Sequence, residues 1–348
     1  MFNYLKSLIR AEQINIFYSK KKVKFENNNL IPLKKYNFGK KNKNKKFYVI
    51  SMKKLPRSGL FSNVSFVLDH IEYAQKKKLV PVIDMENFPT VYNENKKISN
   101  TYNSWEYYFE KITKYSLDEV YKSKNVYFST NERLKKIPMN KDRVNLFKKY
   151  TKIKKNILLE YKLNKKKLFN YQKIMGLHIR GCAQKIVTGH MLPPNHQDIL
   201  KFTKNIFEKE KCDKIFIVTE DQNYLDLFKK NFKEKLIFRN TPRSKCNFLG
   251  GHNNHFKYYI RKNHRYLWGK ETIIDTLLLS STPIIVFGGE SNITAATNIL
   301  AKKKQKRYAL HTEKNSYNMV LARWKWHLKD IFPIFFGRIK SEKIKLNY

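Results

Sequence analysis

Acidic residues are scarce in this sequence. Against 72 Lys and Arg stand only 28 Asp and Glu, a formal net charge of +44. A deficit that deep points first to a polyanion partner, nucleic acid or anionic lipid. The lysines, however, run along the whole chain instead of collecting in one arm. Lys, Asn, Ile, Tyr and Phe crowd it while Ala is rare, as an AT-rich coding sequence would produce. We therefore read the charge first as compositional, and expect no specific nucleic acid. Cysteine is almost absent. Cys182, Cys212 and Cys246 share no metal-ligand spacing and cannot build a disulfide framework, which suits a reducing compartment. No apolar run approaches the ~18 residues of a membrane-spanning helix. The opening MFNYLKSLIRAEQINIFYSKKK lacks the unbroken apolar core and small-residue cleavage site of a secretory signal. The expectation is a cytoplasmic protein, with peripheral contact at the inner face of an anionic membrane as a further one. Familiar catalytic signatures are missing too: there is no Walker loop, no GxGxxG after a strand, no HExxH, no GxSxG and no CxxC pair. Nor is there a DxD-like acidic pair placed to hold a nucleotide-sugar metal.

What remains is a chain of 348 residues, 41% hydrophobic and 14% aromatic, which excludes global disorder and fits two domains. Residues 1–45 read as a basic lead-in ending in the solvated lysine run GKKNKNKK. Phe47–Ser51 reads as a strand, SGLFSN around Gly59 as a turn, Val64–Lys78 as an amphipathic helix, and Leu79–Asp84 as a second strand: one βαβ unit. The aromatic stretch to about Thr130 is irregular. The lysine-rich residues 131–172 hold the junction, so that 46–172 forms one domain. A second βαβ series fills 173–312, with strands at Ile174–Ile179, Lys214–Thr219, Lys235–Arg239 and Pro283–Phe287. Helices are expected at Gln197–Lys209, Tyr224–Phe232 and Lys270–Ser280, and from the N-cap Ser291 to Ala301. Residues 313–348 read as a separate basic amphipathic segment, in which RWKWHLK interleaves aromatic and basic side chains.

In open α/β sheets ligands gather beyond the carboxyl ends of the strands. That rule selects His178-Ile179-Arg180-Gly181, Glu220-Asp221, and the turn Gly288-Gly289-Glu290-Ser291-Asn292, with Asp275 on the intervening apolar helix. Arg180 offers a planar fork of donors for a diphosphate, or pairs with Asp221. The Ser291-Asn292 turn is an anion seat or a plain N-cap. Asp275 lies among apolar residues and needs a specific partner. His178 is a core histidine or a ligand contact. His190, in the irregular loop TGHMLPP, is a candidate general base.

Taken in order, several segments resemble the GT-B fucosyltransferases, the superfamily of α-1,6-, nodulation and protein O-fucosyltransferases. GLHIRGCAQKIVTGHMLPP is similar to its His-x-Arg motif and following loop. KIFIVTEDQNYLDLFKKNF is similar to its strand with an acidic end. GKETIIDTLLLSSTPIIVFGGESNITAAT is similar to its Asp-bearing helix, strand and Ser-Asn turn. SGLFSNVSFVLDHIEYAQKKKLVPVID and NSWEYYFEK resemble the N-terminal domain of bacterial members. The resemblance implies two Rossmann-like domains facing a cleft, and inverting transfer of fucose from GDP-fucose to a glycan hydroxyl without a metal or other cofactor. It also implies roles. Arg180 would contact the diphosphate, beside His178 and Gly181 as further donor-binding residues. Glu220, Asp221 and Asp275 would contact the nucleoside or order the site. Ser291 and Asn292 would contact phosphate, and Gly59, Leu60, Phe61 and Asn63 would face the cleft. The sequence departs from the family pattern at Gly181-Cys182-Ala183, where many members carry an acidic residue. A degenerate GT-B scaffold that binds polyanions is the alternative.

Overall fold

A computed structural model describes residues 34–51, 58–130, 134, 141–170, 172–181, 190–245, 261–289 and 291–346. They form two compact units. The first runs to Ile157 and takes in Arg265–Lys270; the second holds Leu158–His264 and the chain from Glu271 onward.

The first unit is built on a parallel sheet in the order β2-β1-β3, with β1 at Phe47–Ile50, β2 at Val80–Ile83 and β3 at Val126–Phe128. All four residues of β1 are buried, as expected of a central parallel strand covered on both faces. The crossover helix α1, Leu60–Lys76, starts four residues earlier than its apolar spacing predicts. The Gly59 carbonyl accepts from the amides of Ser62 and Asn63, so the stretch expected as a turn is the helix's first turn. Short helices α2, Trp105–Tyr108, and α3, Leu117–Val120, precede β3. Helix α4, Lys141–Tyr150, is tied to α1 by a buried ion pair, Arg143–Asp69 at 2.7 Å. The lysine run of the lead-in is not a free linker where it is described. Tyr36 exchanges backbone hydrogen bonds with Val126, Lys41 bonds the 122–124 turn, and Asn125 donates to the carbonyls of Lys43 and Lys45. The backbone is pinned while the lysine side chains stay in water.

Helix α5, Lys155–Phe169, leads into the second unit, so the boundary falls at Ile157/Leu158 rather than at 172/173. Here β4 (Ile174–Ile179), β5 (Lys214–Val218), β6 (Leu236–Ile237), β7 (Ile284–Gly288), β8 (Lys306–His311) and β9 (Ser341–Leu346) form one sheet. Its order is β6-β5-β4-β7-β8-β9, parallel except for the antiparallel β9. The parallel strands thus follow the doubly wound order 3-2-1-4-5, with the direction of winding reversing between β4 and β7. One face of β4 (Met175, Leu177, Ile179) packs with Ile199 and Ile206 of α6, His196–Lys209, and with Tyr224 and Phe228 of α7, Gln222–Phe232. Helix α8 is His264–Leu279 and α9 is Asn292–Leu300.

Residues 313–348 are not a separate segment. They supply β9 and helix α10, Met319–Ile331. The buried Asn195, N-cap of α6, donates to the carbonyls of Pro333 and Phe336, and its amide donates to Gly337. Asp330 accepts from the amide of His196 at 2.9 Å.

Candidate functional site

The switch point between β4 and β7 brings the sequence's strand-end candidates together. Ile179 is in register with Gly288, so Arg180 and Gly289 leave adjacent strands about 4.8 Å apart. Arg180 is half-buried. Burial disfavours its charge, and the Glu220 carboxylate at the end of β5 supports it. Gly181 is fixed by close approach: a Cβ there would lie 2.4 Å from Cγ of Glu220 and 3.0 Å from the amide of Asp221. The backbone after β4 is therefore held against the β5–α7 turn, and Arg180 is aimed by it.

Across the switch point, Gly289 has φ +82°, a conformation that admits glycine with little strain. It turns the chain into α9. Ser291 caps that helix through a reciprocal pair with Thr294, the Thr294 amide donating to Oγ at 3.1 Å and the Ser291 amide to Oγ1 of Thr294 at 2.8 Å. Ser291 is thus the N-cap its position predicts. Among the described residues no acceptor meets the amides of Asn292 and Ile293, which leaves two donors and the helix dipole at the strand ends.

His178 precedes Arg180 on β4 and pairs in register with Phe287. It is buried, 4% exposed. Burial, with the Arg180 guanidinium adding to it, pulls it down to about 3, so it is neutral at physiological pH. Its Nδ1 meets no hydrogen-bond partner among the described residues.

The loop that follows Gly181 is described again from His190. His190 is exposed, and its carbonyl accepts from the amide of Asn315 at 2.7 Å. Met191 bridges Lys314 and its side chain lies by Gly289, while Pro194 packs on Gly288. The segment therefore crosses the carboxyl end of β7. Cys182 and the remainder of the loop to Gly189, Cys246 and Glu290 lie outside the described residues, so the departure from the family pattern after Gly181 does too.

The carboxylates have structural partners. Asp221 caps α7, accepting from the Asn223 amide at 2.9 Å. Burial pushes it up from the ordinary 3.8 to about 6, against the pull of that amide and of Lys329. Asp275 pairs with Arg239 at 2.9 Å, the specific partner its apolar setting demands. Arg239 and Arg243, just beyond β6, were not among the sequence candidates. Arg243 ties the turn together by donating to the carbonyls of Thr219, Thr241 and Arg239. Their signal was the one that marked Arg180, an arginine next to the carboxyl end of a strand.

A raised folded-state pKa means that the folded chain holds the Asp221 proton more tightly than the unfolded chain does. The contribution to stability is complete below about pH 4 and is lost as pH rises through about 6. Asp221→Asn keeps a capping oxygen and removes the titration. Its melting temperature should match the wild type near pH 4 and exceed it above pH 7, by the equivalent of about 3 kcal/mol. Equal melting temperatures at pH 7.5 would show that Asp221 ionises without cost.

In the first unit Gly59 is exposed, whereas Leu60, Phe61 and Asn63 are buried, so the last three present no open side chains. Phe61 is a packing residue. Leu60 and Asn63 line a small cavity with Trp105 and Tyr108, where neither Oδ1 of Asn63 nor Nε1 of Trp105 has a partner among the described residues. No group of three or more His, Cys, Asp or Glu among the described residues could hold a metal ion, and no helix among them is long and apolar enough to cross a membrane.

No protein-family model matches the chain, and no curated protein sequence matches it. Solved structures do. The NodZ alpha-1,6-fucosyltransferase soaked with GDP-fucose superposes with a TM-score of 0.53 at 12% identity, covering 87% of this chain and 100% of that one. Fucosyltransferase NodZ from Bradyrhizobium gives 0.50 at 14% identity, over 76% of this chain and 95% of that one. The form co-crystallized with GDP gives 0.50 at 13%, over 77% and 96%. At such identities the likeness establishes the fold, an α/β fold of the GT-B type, and the fold alone.

Proposed function

We propose that this chain is an inverting glycosyltransferase that moves fucose from GDP-fucose to a hydroxyl of a glycan acceptor. The observation that carries the reading is the placement together, at the β4–β7 switch point, of the half-buried Arg180 and two amides of α9 that have no partner among the described residues. A diphosphate needs a forked cation and free backbone donors, and both stand at adjacent strand ends. The neutral His178 suits one hydrogen bond to the donor rather than ion pairing. The NodZ structures soaked with GDP-fucose or co-crystallized with GDP add weight to that choice of donor.

In the proposed step the acceptor oxygen attacks C1 of the sugar from the face opposite the diphosphate. The C1–O bond to phosphate breaks, and its electron pair leaves with GDP. Arg180 and the amides of Asn292 and Ile293 stabilise that charge. The acceptor proton passes to a base, for which His190 is the proposed residue; it is exposed on the segment that crosses the end of β7. The step uses no metal. The alternative, a scaffold for polyanions, rests on the net charge of +44.

A thermal-shift titration with GDP, GDP-fucose and GDP-mannose, with and without EDTA, tests the reading. At about a hundred times its Kd a ligand adds roughly 2.7 kcal/mol of apparent stability. Stabilisation by GDP and GDP-fucose that survives EDTA is the expected result. No response to any guanine nucleotide would remove the donor assignment, and a response abolished by EDTA would remove the metal-free step.

A further inference from the structure

Eight of the eleven large hydrophobic side chains exposed among the described residues lie between Tyr317 and Phe335. They form an ordered surface. At about 100° per residue, Val320, Leu321, Trp324, Leu328 and Ile331 fall within one arc of about 100° on α10. All of these but the half-buried Leu328 are exposed. The buried contacts of the helix, Ala322, Trp326 and Lys329, lie on another face. The helix thus packs on the fold by one face and keeps a second, apolar face largely exposed. The turn beyond it adds Phe332, Ile334 and Phe335, the last 74% exposed.

These side chains are not held out by a fraying end. Asn195 grips the carbonyls of Pro333 and Phe336, the Gly337 amide donates to Glu313 at 2.7 Å, and Lys329 pairs with Asp330 at the base of the helix. A soluble monomer rarely fixes so contiguous an apolar patch in water without a partner.

The charges around the patch choose the partner. Lys325 flanks one side of the arc and Arg323 the other, and Lys314, Arg338 and Lys340 are exposed nearby in sequence. Asp330 is the one acid on the helix, and it is already paired. An apolar arc rimmed by Lys and Arg, with Trp and Phe at its centre, matches the interfacial region of an anionic bilayer. A second copy of a chain carrying +44 fits it poorly, because like charge would oppose its approach. We infer that α10 and the turn after it dock the second unit on an anionic lipid surface, with the helix lying in the interfacial plane. The inference stands independently of the transferase reading.

The test is co-sedimentation of the full chain with phosphatidylcholine vesicles, with and without 30% phosphatidylglycerol, in 0.15 M salt. So basic a chain has some attraction for anionic vesicles from any side, so two variants are compared. Leu321→Ser/Ile334→Ser/Phe335→Ser removes exposed apolar side chains and should leave the melting temperature unchanged. Lys43→Gln/Lys45→Gln/Lys46→Gln changes three side chains too, removing three exposed lysines of the first unit. Binding of the wild type to anionic vesicles should fall roughly a hundredfold in the apolar variant. In the lysine variant it should change by less than about threefold. Equal binding by the apolar variant and the wild type would overturn the inference. So would a wild-type dimer in sedimentation velocity that the apolar variant dissolves, which would make the patch a self-association surface.

Discussion

Arg180→Ala is expected to abolish the stabilisation conferred by GDP and to cut fucosyl transfer by about three orders of magnitude. The ligand-free fold should hardly notice. Burial already disfavours this guanidinium, with the Glu220 carboxylate as its main electrostatic support. Removing it trades a desolvated cation for a small apolar side chain, and the melting temperature should stay within the equivalent of about 1 kcal/mol. Arg180→Lys keeps the charge and loses the fork, and should fall between the two. If the residue stabilises the leaving diphosphate more than the bound donor, the loss appears in kcat rather than KM. A variant that binds GDP as the wild type does would move the diphosphate away from the end of β4, whatever its activity.

That Arg180 could be singled out at all reflects how the second unit is written in sequence. The runs at Ile174–Ile179, Lys214–Val218 and Ile284–Gly288 are central parallel strands, almost wholly buried, and each reads as an unbroken apolar segment with chemistry at its carboxyl end. β8 and β9 carried no such signal. KRYALH is bounded by charge, and SEKIKL alternates as an edge strand does, so neither stood out among so many lysines. β3 has three residues, too few to show any period. The pairing of the lysine lead-in with β3 was invisible because it runs through backbone groups, to which side-chain patterning is blind.

The site shows the same division. Positions at strand ends follow from topology, so Arg180, Gly181 and Ser291 were legible. Partners do not, because they depend on distant segments. RWKWHLK reads in sequence as one aromatic and basic stripe. Helical geometry splits it, for residues two apart point to nearly opposite sides: Trp326 and Lys329 are buried while Trp324 is exposed. A continuous stacking platform for single-stranded nucleic acid is therefore not what α10 offers, and an apolar arc with basic edges is.

Arg239→Met should destabilise the chain by about 3–5 kcal/mol at pH 8, the cost of leaving a buried carboxylate without its partner. The Arg239 guanidinium donates to Asp275 at 2.9 Å and to the Glu271 carbonyl at 3.2 Å. Even so, burial keeps Asp275 above the ordinary carboxylate range, with Arg239 pulling against it. Without Arg239 the pull of Arg243 is left to oppose burial, and the folded-state pKa climbs further. A group with a raised folded pKa contributes most to stability when protonated, so the loss should shrink as pH falls toward 5 and grow as pH rises. Melting curves of the variant at pH 5 and pH 8 measure this directly, and an equal loss at both would mean that the damage is packing, not charge. The double variant Arg239→Met/Asp275→Leu replaces the pair by apolar groups and should recover most of the stability. It then decides what Asp275 does. If the carboxylate only holds α8 to the end of β6, the recovered double variant keeps its response to GDP. If Asp275 meets the nucleoside, as the family resemblance implies, the fold returns but the response to GDP does not.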